Sequence, residues 1–303
     1  MSKGQYGRDG AWPGDFQNKY STPIESKQSP DKVHALKTLV SPYILRRIKT
    51  EVLTELPPKT EQTIHVEQSE EEAVFYEALR RNAEERMVHY MEANNRIGVL
   101  AEITKLRQAC CDSSLVDGAL FLNNSKLNAF IETVKNIIDN GHKALVFSQY
   151  VSFLSIVKKR IEDEKISYQY LDGSTSPAKR KSAVEAFQGG EGDLFLLSLK
   201  AGGSGLNLTA ADYVIHLDPW WNPAVEDQAS DRAHRIGQER PVTIYRFVMQ
   251  NTIEEKIISL HEHKRNLANE LLSGQGGSGK LSNTDLMNLI SNGGVVEARS
   301  FMT

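Results

Sequence analysis

The sequence predicts an α/β fold: a parallel sheet with helices on both faces and a helical protrusion inserted before it. Three observations predict it. Between residues 125 and 272, short apolar runs alternate with stretches of helical periodicity. The runs are brief and bounded by polar or glycine-rich segments, as buried strands are. Upstream, residues 69–112 carry apolar side chains at helical spacing with charges between them.

Each element has a local reason. Residues 1–60 read as loop and extended chain, broken by Pro13, Pro23, Pro30, Pro42, Pro57 and Pro58, with one short helix near Asp31–Leu39. Ser69 and Glu72 form a capping box for the first long helix. The stripe Phe75, Tyr76, Leu79, Met87, Met91, Leu100, Ile103 and Leu106 reads as core and helix contact. Strands are predicted at Ala144–Phe147, Tyr168–Leu171, Leu194–Leu199, Tyr213–Leu217 and Val242–Val248. Leu154, Val157 and Ile161 mark one face of the helix after the first strand. Ser176-Pro177 starts another, with serine as cap and proline at the first position. Asn222-Pro223 opens the helix between the last two strands. Thr252 and Glu255 are expected to box the closing helix, which runs to about Leu272. A Gly/Ser linker (273–281), a short amphipathic segment (Asp285–Ile290) and a polar tail follow.

Composition narrows the function. A chain of 303 residues, 40% hydrophobic and 25% charged, is expected to be soluble and globular. A net charge of −3 excludes nucleic-acid binding by bulk charge, so any such contact must be local. Three basic runs exist, at Arg46-Arg47, Lys158-Lys159-Arg160 and Lys179-Arg180-Lys181; alone, each reads as a solvated helix face. Cys110 and Cys111 are adjacent, a poor disulfide pair, and two thiols without spaced histidines make no zinc site. No apolar run approaches the ~20 residues of a membrane span, and no signal segment is present, so cytoplasm or nucleus is expected.

Several motif-like segments fail on chemistry. Gly274–Lys280 nearly spells a phosphate-binding loop, but Leu281 stands where a magnesium-binding Ser or Thr is needed, and a helix rather than a strand precedes it. Ser204 lacks the second glycine of a nucleophile elbow, and His261-Glu262-His263 lacks an i, i+4 histidine pair. Tyr213–Asp218 resembles a magnesium-positioning strand, yet Pro219 follows instead of Glu.

Three segments keep a chemical reading. In Asp227–Gln238, a helix would place Gln228, Arg232 and Arg235 on one face, where two guanidinium forks suit phosphate oxygens. Asp227 and Asp231 beside them make an ordinary salt-bridged face an equal reading from spacing alone. In Ser198–Leu208, a strand enters a loop with Gly202, Gly203 and Gly205, whose backbone can approach an anion, and Lys200 adds charge. In Asp218–Pro223, Trp220 and Trp221 follow a strand; one is expected to pack in the core and the other to be free to stack.

Together these segments resemble the C-terminal lobe of the SWI/SNF-like, superfamily-two helicase-related DNA translocases. ALVFSQY (Ala144–Tyr150), LDGST (Leu171–Thr175), Ser198–Leu208, Trp221-Asn222-Pro223 and QASDRAHRIGQ (Gln228–Gln238) follow the family's motif order. PYILRRIK (Pro42–Lys49) with Leu56-Pro57 resembles the segment joining two lobes, and Phe16–Ile24 the tail of the first lobe.

The resemblance implies a RecA-like lobe at 125–251, a protrusion at 67–124, an inter-lobe linker at 26–66 and a brace helix at 252–272. Residues 1–25 would be a first-lobe tail or an expression remnant, and 273–303 a linker and tail. Arg232 and Arg235 would be arginine fingers supported by Gln228, with Gly203, Gly205 and Asn207 toward the nucleotide. Ser148, Gln149, Ser174, Thr175, Lys200, Gly202 and Trp221 would face double-stranded DNA. ATP and magnesium would be held mainly by a first, N-terminal lobe whose motifs this sequence lacks, leaving the chain inactive alone. The alternatives are a stand-alone DNA- or protein-binding module and a lobe of a strand-separating helicase. Cytoplasmic or nucleoid placement is expected for a prokaryotic protein, nuclear for a eukaryotic one.

Overall fold

Eight residues that read as extended linker turn out to be a strand. Lys59–Val66 (β1) pairs in parallel with Val242–Met249 (β6) over its whole length, from Lys59 opposite Val242 to Val66 opposite Met249. Its first four residues are exposed, so neither alternation nor an apolar run announces it. As an edge strand it takes its register from its neighbour. The computed structural model describes residues 31, 35, 38, 56–93, 95–116, 123–201, 205–261, 287, 289 and 290. The chain divides into two units, residues 1–52 with 262–282 and residues 53–261 with 283–303. In the first, Asp31, Ala35 and Thr38 are helical, where a short helix was expected. Everything below concerns the second.

Its sheet has six strands in the order β1-β6-β5-β2-β4-β3, all parallel. Ala144–Ser148 (β2) and Leu194–Ser198 (β4) are buried at every position, because helices cover both faces. Tyr168–Leu171 (β3) forms the other edge, and Tyr213–His216 (β5) lies between β2 and β6. Leu145, Phe147, Phe195, Leu197, Val214 and Ile244 make the core.

The protrusion is two helices, Glu70–Glu92 (α1) and Arg96–Cys111 (α2). The capping box forms: Glu72 N donates to Ser69 Oγ at 3.2 Å, and Ser69 N to Glu72 Oε2 at 2.8 Å. Glu72 also accepts from Ser125 N at 3.0 Å, tying the protrusion to the next helix, Ser125–Asp139 (α3). Val151–Asp163 (α4), Pro177–Gln188 (α5) and Pro223–Ser230 (α6) connect the strands. Ser176 and Asn222 cap α5 and α6 as expected, each ahead of a first-turn proline.

The closing helix (α7) begins at 253 and is described to 261; the rest of the brace and the Gly/Ser linker lie outside the described residues. Its expected capping box does not form. Thr252 Oγ1 instead accepts from Glu254 N and donates to Met249 O, because Glu254 turns inward to meet Lys126. Cys110 and Cys111 are free and buried, and burial pushes both thiols up. Arg80 donates to Ile290 O at 3.0 Å, where Leu289 and Ile290 are buried. No helix among the described residues is long and apolar enough to cross a membrane.

Candidate functional site

Parallel strands point their C-terminal ends the same way, and ligands of such sheets bind in crevices beyond those ends. The loops after β2, β3, β4 and β5 carry the sequence-predicted residues, so the topology gathers them on one rim.

The loop after β5 is fixed from below. Asp218 is buried and accepts from Ser148 Oγ and from Gln149 N. Burial pushes its carboxyl up, while the Ser148 bond and the Arg107 charge pull the other way. Ser148, expected on the DNA rim, is therefore corrected: it is 1% exposed and its hydroxyl holds Asp218. Gln149 stays at the rim, its Nε2 buried without a protein partner.

Trp220 packs against the core, as expected of one of the pair. Its N–H donates to Glu226 Oε1 at 2.7 Å, and its carbonyl accepts from His261 Nε2 of α7. Trp221 is half-buried. Beneath both lies Arg107 of α2, 3% exposed, which donates to Pro219 O at 2.5 Å. Its guanidinium sits 4.9 Å from the Trp221 ring centroid and 5.9 Å from those of Trp220 and Tyr150. The links of Arg107, Glu226 and His261 to this loop escaped the sequence reading, since no local spacing relates them to the tryptophans.

The Asp227–Gln238 segment departs from expectation in backbone. α6 ends at Ser230 and residues 231–237 run as turns, so Gln228, Arg232 and Arg235 do not share one helix face. The reason is that Arg232, Ala233 and His234 are all buried. Consecutive side chains on a helix diverge by about 100° and cannot all point inward. His234 Nε2 donates to Pro57 O at 2.8 Å, and the Gln238 amide reaches Ala211 O at 2.8 Å and Ala233 O at 3.0 Å. Gly237, at φ +97°, takes the turn that returns the chain to β6. Gln228 is exposed on α6.

Two arginines result with different roles. Arg235 is exposed and donates from Nη1 to Gly205 O at 3.3 Å and Leu206 O at 3.4 Å. Arg232 is 5% exposed, and its Nε and Nη1 have no partner. Burial, then the charges of Arg235 and Arg180, bring its pKa down to about 10. Among the described residues neither arginine makes an ion pair, and Asp227 lies 3.9 Å from Arg246 instead. A buried guanidinium with unused donors is costly unless a hydrogen-bonding or charged partner meets it.

Gly205 and Asn207 are exposed at the far end of the glycine-rich loop, and Lys200 is exposed at its start. Gly202 and Gly203 lie outside the described residues. Beyond β3, Asp172 gathers Ser174 N at 2.8 Å and Ser174 Oγ at 2.6 Å, and Thr175 Oγ1 accepts from Asp172 N at 3.0 Å. This turn lines an open cleft of about 630 Å³ with Tyr170, Ser176 and Lys179.

A parallel α/β lobe presenting unpaired arginines and a glycine-rich loop beyond its strand ends is the RecA-like lobe of a helicase-related protein. Comparison with known proteins agrees: residues 125–237 match the helicase conserved C-terminal domain, and residues 11–115 match the SNF2-related domain. An uncharacterized ATP-dependent helicase of Mycoplasma genitalium is 37% identical over 84% of this chain and 25% of its own length. The mouse SWI/SNF-related matrix-associated actin-dependent regulator of chromatin subfamily A member 1 is 33% identical over 92% of this chain and 28% of its own. The SWI2/SNF2 ATPase core of Sulfolobus solfataricus, solved in complex with dsDNA, superposes with a TM-score of 0.60 at 32% identity, over 86% of this chain and 56% of that one. The chain thus spans about a quarter of the length of these curated relatives. It belongs to the SWI/SNF-like family of helicase-related proteins and carries their C-terminal helicase domain.

Proposed function

We propose that this chain is the second motor lobe of an ATP-dependent double-stranded DNA translocase that remodels protein–DNA complexes. The observation that carries the reading is Arg232, buried with Nε and Nη1 unpartnered and flanked by cationic neighbours. Such a group fits the terminal phosphates of ATP presented by a first lobe. When bound, ATP supplies the phosphoryl group that passes to water.

Arg232 and Arg235 neutralise the charge that develops there, and Gln228 supports them from α6. Magnesium is held mainly by the first lobe in this reading. Gln149, Ser174, Thr175, Lys200, Gly202 and Trp221 form this lobe's part of the DNA track, with Arg107 and Asp218 setting its geometry. The dsDNA bound to the Sulfolobus core supports that substrate.

The test joins this chain to its first lobe. Arg232→Gln and Arg235→Ala should each cut DNA-stimulated ATP turnover by about 10³-fold or more. DNA affinity should stay nearly unchanged. Equal losses of turnover and DNA binding would make the arginines structural. The chain by itself should show no DNA-stimulated turnover; appreciable hydrolysis would refute the division of labour.

A further inference from the structure

We propose that Arg180 is a third arginine of the same anion site, a positioning residue for the glycine-rich loop whose charge also faces the bound phosphate. This rests on the arginine-site reading above. Arg180 sits in the first turns of α5, inside a basic run that reads as solvated surface. The structure divides that run. Lys181 pairs with Glu185 at 3.7 Å on the exposed face, and Lys179 lines the open cleft beyond β3. Arg180 is half-buried, and its Nη1 donates to Ala201 O, in the loop after β4, at 2.8 Å.

Ala201 is the start of the loop; its far end is held by the other two arginines. Arg235 Nη1 reaches Gly205 O and Leu206 O, and Arg232 O accepts from Leu208 N at 3.1 Å. Three arginines from two segments, α5 and the turns after α6, thus contact the two ends of one loop. Among the described residues, none of the three makes an ion pair.

A purely structural clamp needs only a donor, and a lysine or an amide would serve. An arginine placed beside two other unpaired arginines costs stability by like-charge repulsion unless an anion arrives. Its charge is felt at Arg232, where Arg180 is among the causes of the depressed pKa. The ligand chemistry is a phosphate oxyanion at the end of a polyphosphate chain. Its bidentate geometry matches guanidinium forks.

The experiment uses this chain with inorganic tripolyphosphate as probe and follows the thermal midpoint at matched ionic strength, with a short DNA duplex as a parallel arm. A ligand that binds only the folded state raises the midpoint according to its affinity. Wild type should be stabilised by tripolyphosphate. Arg180→Gln should lose about half of that shift or more. Arg180→Lys should keep most of it, because it keeps the charge. Midpoints without the probe report the Ala201 bond separately. An Arg180→Gln chain with a lower starting midpoint but an undiminished shift would make Arg180 a plain loop support and overturn the proposal. Dependence on Arg180 in the duplex arm alone would also overturn it. No shift in wild type would overturn the arginine site itself, and the proposal with it.

Discussion

Lys126 and Arg232 are both buried cations of one lobe, and the fold treats them oppositely. Lys126 has no exposed surface, and its Nζ lies 2.7 Å from each oxygen of Glu254. Glu254 is further held by Met249 N at 2.9 Å. Burial pulls the Lys126 ammonium down, but Glu254 more than offsets this and keeps it charged. Arg232 has no such partner; burial, then the charges of Arg235 and Arg180, bring its pKa down to about 10. Burying a charge is costly unless it is paired and hydrogen-bonded. On the function proposed above, the second cation is the one that meets an anion from outside. The first cation joins α3 to α7; the second lies in the turns that follow α6.

The largest test of this contrast is Glu254→Ala. It strands Lys126 in the core, and breaking a buried pair in this way costs about 3–5 kcal/mol. Urea unfolding should show that loss. The double variant Lys126→Met, Glu254→Leu should recover most of it, because well-packed apolar residues often replace a buried pair without net cost. A single variant losing less than about 1 kcal/mol would mean that Lys126 reaches water, and the distinction from Arg232 would disappear.

Which parts of this arrangement were legible in the sequence follows from how local their causes are. Ser69 with Glu72, and Ser176 with Pro177, act within a single turn, and both form as expected. β2 and β4 are apolar throughout, so their burial needed no partner to be seen. β1 depends on β6, 183 positions later in register, and only Ile64 and Val66 of its own residues are apolar. Lys126 and Glu254 are 128 positions apart, and Arg107 meets Pro219 across 112. The Asp227–Gln238 segment shows the limit most clearly. Motif order picked Arg232 and Arg235, yet the helix drawn through them ends at Ser230, because burial of Arg232, Ala233 and His234 together overrides helical spacing.

A buried base offers a third treatment of charge and the next largest effect. His216 is buried on β5, its Nε2 2.9 Å from Ser230 Oγ and its ring stacked on Phe147 at 5.5 Å. Burial brings its pKa from about 6.5 down to about 4, although Glu226 opposes the fall. The folded state therefore binds fewer protons than the unfolded chain between these values. Stability is complete above the unfolded pKa and is lost as pH falls toward 4, by about 3 kcal/mol in all and about 2 kcal/mol by pH 5. Glu61, held at about 2 by Lys59 and Arg246 against its burial, adds losses only below about pH 4.5. Urea midpoints at pH 7 and pH 5 should thus differ in wild type and converge in His216→Phe. An undiminished pH dependence in that variant would show that His216 already carries its proton in the fold.

The smallest expected effect is the most informative about Arg232. Methionine can occupy much of the volume of its buried stem. Arg232→Met removes a guanidinium whose Nε and Nη1 make no bond and whose neighbours repel it. The desolvation cost of the charge disappears with it, while the Leu208 N–H bond to the residue's backbone carbonyl is untouched. Stability should therefore change by no more than about 1 kcal/mol, and a small gain is expected. The same urea titration that shows a large loss for Glu254→Ala should show nearly none here. A loss near 3 kcal/mol would mean that Arg232 is integral to the fold, leaving its unused donors without the purpose assigned to them. Near-neutral stability, set beside the lost ATP turnover expected of Arg232→Gln in the two-lobed protein, would place its contribution in function rather than in folding.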